Sequence, residues 1–169
     1  MRFNHLNRRL HESEYTVRPK TREELVKIIK DTIKKEGYTC NLNFIDTSLI
    51  EDMSHLFRNS EFNGDISCWD VSNVRDMTSM FYDSHFNGDI SEWCTSNVKT
   101  MFSMFWRSEF NRDISGWDVH NVEDMTNMFE VSRFNQDISK WGVRNVKEMN
   151  NMFYRSPLDG NEPDWYKDI

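Results

Sequence analysis

The string FNGDISCWDVSNVRDMTSMF, from Phe62 to Phe81, returns as FNGDISEWCTSNVKTMFSMF from Phe86, as FNRDISGWDVHNVEDMTNMF from Phe110, and once more from Phe134. The period is 24 residues. One period earlier, Tyr38 falls in the Phe column, Leu42 under Ile66, Ile45 under Trp69, Met53 under Met77 and Phe57 under Phe81, so a diverged copy opens the array. At the far end Leu158 takes the Phe column and Trp165 the Trp column, half a copy more. A fixed period of roughly 20–50 residues means that each copy is a small unit unable to bury its apolar face alone, and that stacked neighbours bury one another.

Two local patterns coexist inside a copy. Val74, Met77, Met80 and Phe81 stand at i, i+3, i+6 and i+7 and predict a short helix, with Asn73 as its N-cap and Asp76 three residues on. The segment GDIS (64–67) with Trp69 and Val71 predicts a short strand. Strands about 4.8 Å apart beside helices about 10 Å across would force a stack to bend. The expected fold is therefore an α/β repeat, a curved solenoid of short strands and short helices with the strands on its concave side. The columns headed by Phe62, Ile66, Trp69, Val74, Met77 and Phe81 are expected to form its core, with the methionines as adaptable filler.

Polar columns repeat as faithfully. Asp65, Asp89, Asp113 and Asp137 are expected to accept backbone N–H groups at a corner, since unsatisfied carboxylates one copy apart would repel. A calcium ladder is the sharper alternative, but the Gly-rich GGxGxD loop it needs is missing. Asn63, Asn87, Asn111 and Asn135 form a second column, and Asn73, Asn97, Asn121 and Asn145 are expected as helix caps.

The ends differ from the array. Residues 1–18 read as an N-terminal arm. Residues 19–37 read as a capping helix, with Pro19 ahead of a Thr21/Glu24 capping box, an apolar stripe of Leu25, Ile28, Ile29 and Ile33, and Lys34, Lys35 and Gly37 at its end. Residues 38–157 hold five repeats, and residues 158–169 a C-terminal half-repeat cap whose exposed cross-section suits pairing with a second copy.

Charge separates the same regions. Residues 1–37 carry ten Lys/Arg and six Asp/Glu, a net of +4, whereas residues 38–169 carry a net of −11. An acidic array is a poor direct binder of nucleic acid, whose phosphates need Lys and Arg. Cys40, Cys68 and Cys94 match no disulfide or metal spacing, and the five histidines make no ligand or catalytic pair, so no cofactor and no metal are expected. Acidic pairs such as Asp65 and Asp70 recur along the array, whereas a catalytic site occurs once; the reading is not an enzyme. Without a long apolar run or an apolar leader, the expected place is the cytoplasm, with no membrane contact.

Where scaffold columns are constant, the varying columns carry the individuality. After the second Phe column come Arg58, Tyr82, Trp106, Glu130 and Tyr154, then Asn59, Asp83, Arg107, Val131 and Arg155. Aromatic and arginine residues not needed by a core match interface hot-spot chemistry. Tyr82, Trp106, Arg107, Glu130, Tyr154 and Arg155 are accordingly the candidate partner-binding residues, and the expected function is a non-catalytic protein–protein interaction module. Stacking of the aromatic residues on one another along an edge is the plainer alternative. A weaker second surface is Cys68, Glu92, Gly116 and Lys140. The net of −11 leaves a rival function open, an acidic mimic of nucleic acid that inhibits a DNA- or RNA-binding enzyme.

The string FNxDISxWDVSNVxDMxxMF resembles the BspA-like leucine-rich-repeat surface-protein family of bacterial surface proteins and mycoplasma lipoproteins. The lead-in TREELVKIIKDTIKKEGYTCNLNFIDTSLIEDMSHLF is similar to the segment that opens such arrays. The resemblance covers about residues 19–157 and implies a leucine-rich-repeat-like solenoid with adhesion and protein binding as its usual activities. A cell-surface adhesion repeat lacking its export signal is thus a further alternative.

Overall fold

The computed structural model describes residues 15–167, so most of the N-terminal arm, and Asp168 and Ile169 of the C-terminal cap, lie outside the described residues. Helix α1 spans Arg22–Glu36. Thr21 caps it, its hydroxyl accepting the Glu24 N–H at 3.3 Å, while the Glu24 carboxylate accepts the Lys20 N–H at 2.7 Å. Gly37 ends the helix with φ 89, a left-handed conformation that costs glycine little. Leu25 and Ile29 are buried in the same apolar cluster as Leu42, Ile45 and Phe57, so α1 covers the first copy. Arg22 adds a polar tie, its guanidinium donating to the Ser54 carbonyl. Ahead of α1, Val17 pairs in parallel with Ile45, and Arg18 meets Asp46 at 2.5 Å.

From Tyr38 onward each 24-residue copy is one irregular rung lying against the next. The expectation of an α/β repeat, a curved leucine-rich-repeat-like solenoid of short strands and short helices, is overturned here: residues 38–163 contain no helix and no sheet strand. Among the described residues the helices are α1 and the four-residue α2, Asp164–Lys167.

The reason lies in where the backbone N–H groups go. In the segment expected to be helical, Met77, Ser79, Phe81 and Asp83 donate to Thr100, Phe102, Met104 and Trp106 of the following rung, at 3.1, 2.8, 2.9 and 2.7 Å. Met80 and Tyr82 instead close tight turns onto Met77 and Ser79, both at 3.2 Å. No N–H is left for an i to i−4 ladder. Ser79 and Asp83 take φ values of 53 and 49, the left-handed sign that a type II turn needs and a helix excludes, and the same two columns do so in every rung. Spacing forbids a helix as well. The Phe81 and Phe105 rings lie 5.5 Å apart, whereas packed helices need about 8–10 Å between axes.

The expected strand fares no better. Asp65 is bridged to Asn41, but the recurring parallel bridge joins Asp52, Asp76, Thr100, Asp124 and Glu148, inside the segment read as helix. At GDIS the chain folds tightly, with the Trp69 N–H on the Ile66 carbonyl at 3.2 Å. Asn73, Asn97, Asn121 and Asn145 consequently cap nothing. Their side-chain amides donate to the carbonyls of Ser48, Ser72, Ser96 and His120 in the preceding rung, at 2.6–2.8 Å.

The core follows the sequence columns closely. Phe62, Phe86, Phe110 and Phe134 stack ring over ring at 6.1–6.3 Å. Phe57, Phe81, Phe105, Phe129 and Phe153 form a parallel pile beside them, and Met77, Met101 and Met125 are fully buried. Trp69, Trp93, Trp117, Trp141 and Trp165 each donate the indole N–H to a carbonyl 27 residues earlier, so these large side chains satisfy their one polar atom between rungs. At the C-terminal end Trp165 stacks over Trp141, and Tyr166 meets Phe153 edge-on at 5.0 Å.

Candidate functional site

The turn segment that replaces the expected helix turns one side chain per rung outward, in the column Arg58, Tyr82, Trp106, Glu130, Tyr154. Neighbouring rungs sit at stacking distance, so aromatic neighbours in this column must lie face to face. Tyr82 and Trp106 do so, with centroids 4.3 Å apart and planes 18° from parallel. The Arg58 guanidinium lies 4.0 Å from the Tyr82 ring centre, and Arg107 lies 5.2 Å from that of Trp106. Two rings and two guanidiniums therefore gather along one edge. Each cation–ring contact contributes about 0.5–1 kcal/mol at such exposed sites. Asp83 steadies the lower cation, 3.5 Å from Arg107.

Of the six candidate residues, Tyr82, Trp106 and Arg107 are thus brought together. Tyr154 and Arg155 form a separate pair two rungs away, the guanidinium 5.1 Å from the ring centre, and Tyr154 is 47% exposed. Glu130 lies between the two groups, half-buried. The alternative of aromatic stacking along an edge therefore describes Tyr82 and Trp106, but not Tyr154. Tyr82 and Trp106 nevertheless stay partly exposed.

Arg58, which joins the stripe, and Phe102, an exposed ring in the same turn segment, stand outside the six candidates. Arg58 was in the right column. Phe102, 37% exposed, stands four residues before Trp106 in a column otherwise filled by Ser54, Thr78, Thr126 and Asn150. A lone large apolar residue in a small polar column was the signal that marked it. Below the stripe, Arg107, Arg133 and Arg155 surround a cleft of about 460 Å³ whose wall includes Val131 and the carboxylates Asp83 and Glu109. The second surface, Cys68, Glu92, Gly116 and Lys140, runs along another edge without ring contacts or ion pairs among the described residues.

The aspartate column has a structural task. Asp65, Asp89, Asp113 and Asp137 each accept the N–H of the serine two residues on, at 2.8–3.0 Å. For Asp113 and Asp137 that bond from Ser115 and Ser139 is the main cause holding the carboxyl below its ordinary range. At Asp65 burial pushes the other way, and bonds from Ser67 and Asn43 outweigh it. Beside them runs an asparagine ladder, in which Asn63, Asn87 and Asn111 each accept the N–H of the asparagine one rung on, at 2.8–2.9 Å. No group of three or more His, Cys, Asp or Glu able to hold a metal gathers among the described residues, nor is any helix there long and apolar enough to cross a membrane. Burial, and then the charge of Glu36, raise the Cys40 thiol above its usual range.

No curated protein and no solved structure matches the chain. A family model described as "Mycoplasma protein of unknown function, DUF285" matches residues 27–133 and again residues 107–165, overlapping placements of the kind a repeat produces. Together these matches run from within α1 through the whole stack, and the chain belongs to the DUF285 family.

Proposed function

We propose that this chain is a non-catalytic protein-binding module, and that the edge stripe of Arg58, Tyr82, Trp106 and Arg107 is where its protein partner docks. The observation that carries the reading is the cluster itself: two partly exposed aromatic rings and two exposed guanidiniums held at the surface by rungs that are hydrogen-bonded on either side. Aromatic and arginine side chains dominate binding hot spots, and side chains already ordered by stacking lose little entropy on docking. Repetition supports a non-enzymatic role, since the carboxylates recur rung after rung. We further infer kinship with BspA-like repeat proteins, supported by the FNxDISxWDVSNVxDMxxMF string.

The test is affinity capture with the purified full chain beside a Tyr82→Ala/Trp106→Ala chain. A protein recovered by the first and lost by the second supports the reading; recovery indifferent to both substitutions sinks it. A second reading, an acidic decoy for a nucleic-acid enzyme, draws support from the exposure of Asp65, Asp89, Asp113 and Asp137 along one column. Inhibition of such an enzyme that fades steeply with added salt, and survives loss of the aromatic stripe, would favour the decoy instead.

A further inference from the structure

The first rung differs from the others in one respect. In every later rung the carbonyls of the turn segment accept N–H groups from the rung before: Met80 and Tyr82 from Phe57 and Asn59, Met104 and Trp106 from Phe81 and Asp83, Met128 and Glu130 from Phe105 and Arg107. The corresponding carbonyls of the first rung, Leu56 and Arg58, have no preceding rung and accept no N–H from any described residue. Helix α1 lies on that side but supplies a donor only to Ser54, through Arg22. An open ladder edge is a template for pairing with another chain.

The space beside this edge is a groove of about 590 Å³ between α1 and the first rung. Ile33, Leu56 and Tyr38 give it an apolar wall, with Tyr38 53% exposed. Lys30, Lys34 and Arg58 make its rim basic, and neither lysine pairs with an acid among the described residues. The rim carries one carboxylate, Glu61, which faces His85 at 3.5 Å. This is a basic, partly apolar slot at one end of an otherwise acidic stack.

We propose that this groove is a second binding site, meeting the aromatic stripe only at Arg58, and that it takes an extended acidic peptide segment of a partner protein. The N–H groups of alternate peptide residues pair with the Leu56 and Arg58 carbonyls, which stand two residues apart and match the period of an extended chain. One set of alternate side chains packs on Ile33, Leu56 and Tyr38, and the other, carrying carboxylates, meets Lys30 and Lys34. The expected ligand alternates acidic and apolar residues. The proposal shares with the preceding reading Arg58 and the idea that the partner is a protein.

A phage-displayed library of random dodecapeptides, selected on the immobilised full chain, tests it. The enriched peptides are expected to alternate Asp or Glu with apolar residues. A labelled synthetic copy is expected to bind at least tenfold more weakly to a Lys30→Glu/Lys34→Glu chain and equally well to a Trp106→Ala/Arg107→Ala chain, which leaves Arg58 and its Tyr82 contact in place. N-methylation at alternate peptide nitrogens is expected to abolish binding, because it removes the donors while keeping the side chains. Four results would overturn the proposal: no enrichment, binding that survives N-methylation of each of the two alternate sets in turn, loss on the stripe variant alone, or a concentration-dependent doubling of mass cured by Lys30→Glu/Lys34→Glu. The third leaves the stripe reading standing, and the fourth gives the groove to a second copy of this chain. Circular dichroism of both variants checks that the fold is kept.

Discussion

The indole N–H of Trp117 donates to the carbonyl of Ile90, one rung back, at 3.0 Å, and that same carbonyl accepts the Trp93 N–H at 3.2 Å. Trp117 is 3% exposed, so both its ring and its one polar atom are committed to holding adjacent rungs together. Trp117→Phe removes the donor and opens a gap between the Trp93 and Trp141 layers. A loss of about 2–4 kcal/mol is expected from the missing bond and the cavity, read as a lower urea midpoint.

Glycines in the array divide into two kinds. A Cβ on Gly64 would lie 2.0 Å from the Cys40 carbonyl oxygen and 2.7 Å from the Phe62 ring, whereas one on Gly142 meets nothing within 4 Å. Gly64→Ala should destabilise by about 2 kcal/mol or more, since the obstacle is backbone. Gly142→Ala should be neutral or stabilising by up to about 1 kcal/mol, through the entropy it removes from the unfolded chain. Parallel thermal melts of the two variants decide the point, and equal melting temperatures would contradict it.

Val131 holds φ 57 and is 38% exposed. A β-branched residue is strained there, while the first-rung counterpart Asn59 has the same sign of φ at little cost. Val131→Asn is expected to raise stability by about 1 kcal/mol. Denaturant unfolding would show it as a higher midpoint with an unchanged slope.

Acid should loosen the stack. Asp65, Asp113 and Asp137 have folded-state pKa values below their ordinary ones, because the ionised carboxylate accepts corner N–H groups. Groups depressed in this way stabilise the fold above the unfolded-state pKa, near 3.9, and that contribution disappears as pH falls through the folded value. Melting temperature is therefore expected to drop from about pH 5 to pH 3 for this reason. In the Asp113→Asn variant an amide oxygen still accepts the Ser115 N–H but cannot be protonated in this range, so its melting temperature should fall less steeply with acid.

Much of this architecture was legible before any coordinates. The columns of Phe, Ile, Trp, Val and Met are the core, α1 sits where Thr21, Glu24 and Gly37 placed it, and the Asp65 column accepts backbone N–H groups as Asx corners do. Tyr82, Trp106 and Arg107 also meet in space. Their meeting was readable because residues at a constant position of a period become neighbours once the copies stack.

Which residues share a column, and hence which are buried and which face solvent, can be read from the amino-acid chain alone. That follows from the 24-residue period and from apolar side chains being repeated at set positions within it. The conformation of each rung was decided only by the tertiary structure. The pattern Val74, Met77, Met80, Phe81 suits a helix in isolation, but hydrogen bonds to both neighbouring rungs draw the copies to stacking distance, where a helix does not fit and alternate N–H groups are already taken. The same contacts turned the Asn73 column from expected caps into ties between rungs. They also left the Leu56 and Arg58 carbonyls without an N–H from any described residue, since no rung lies before the first.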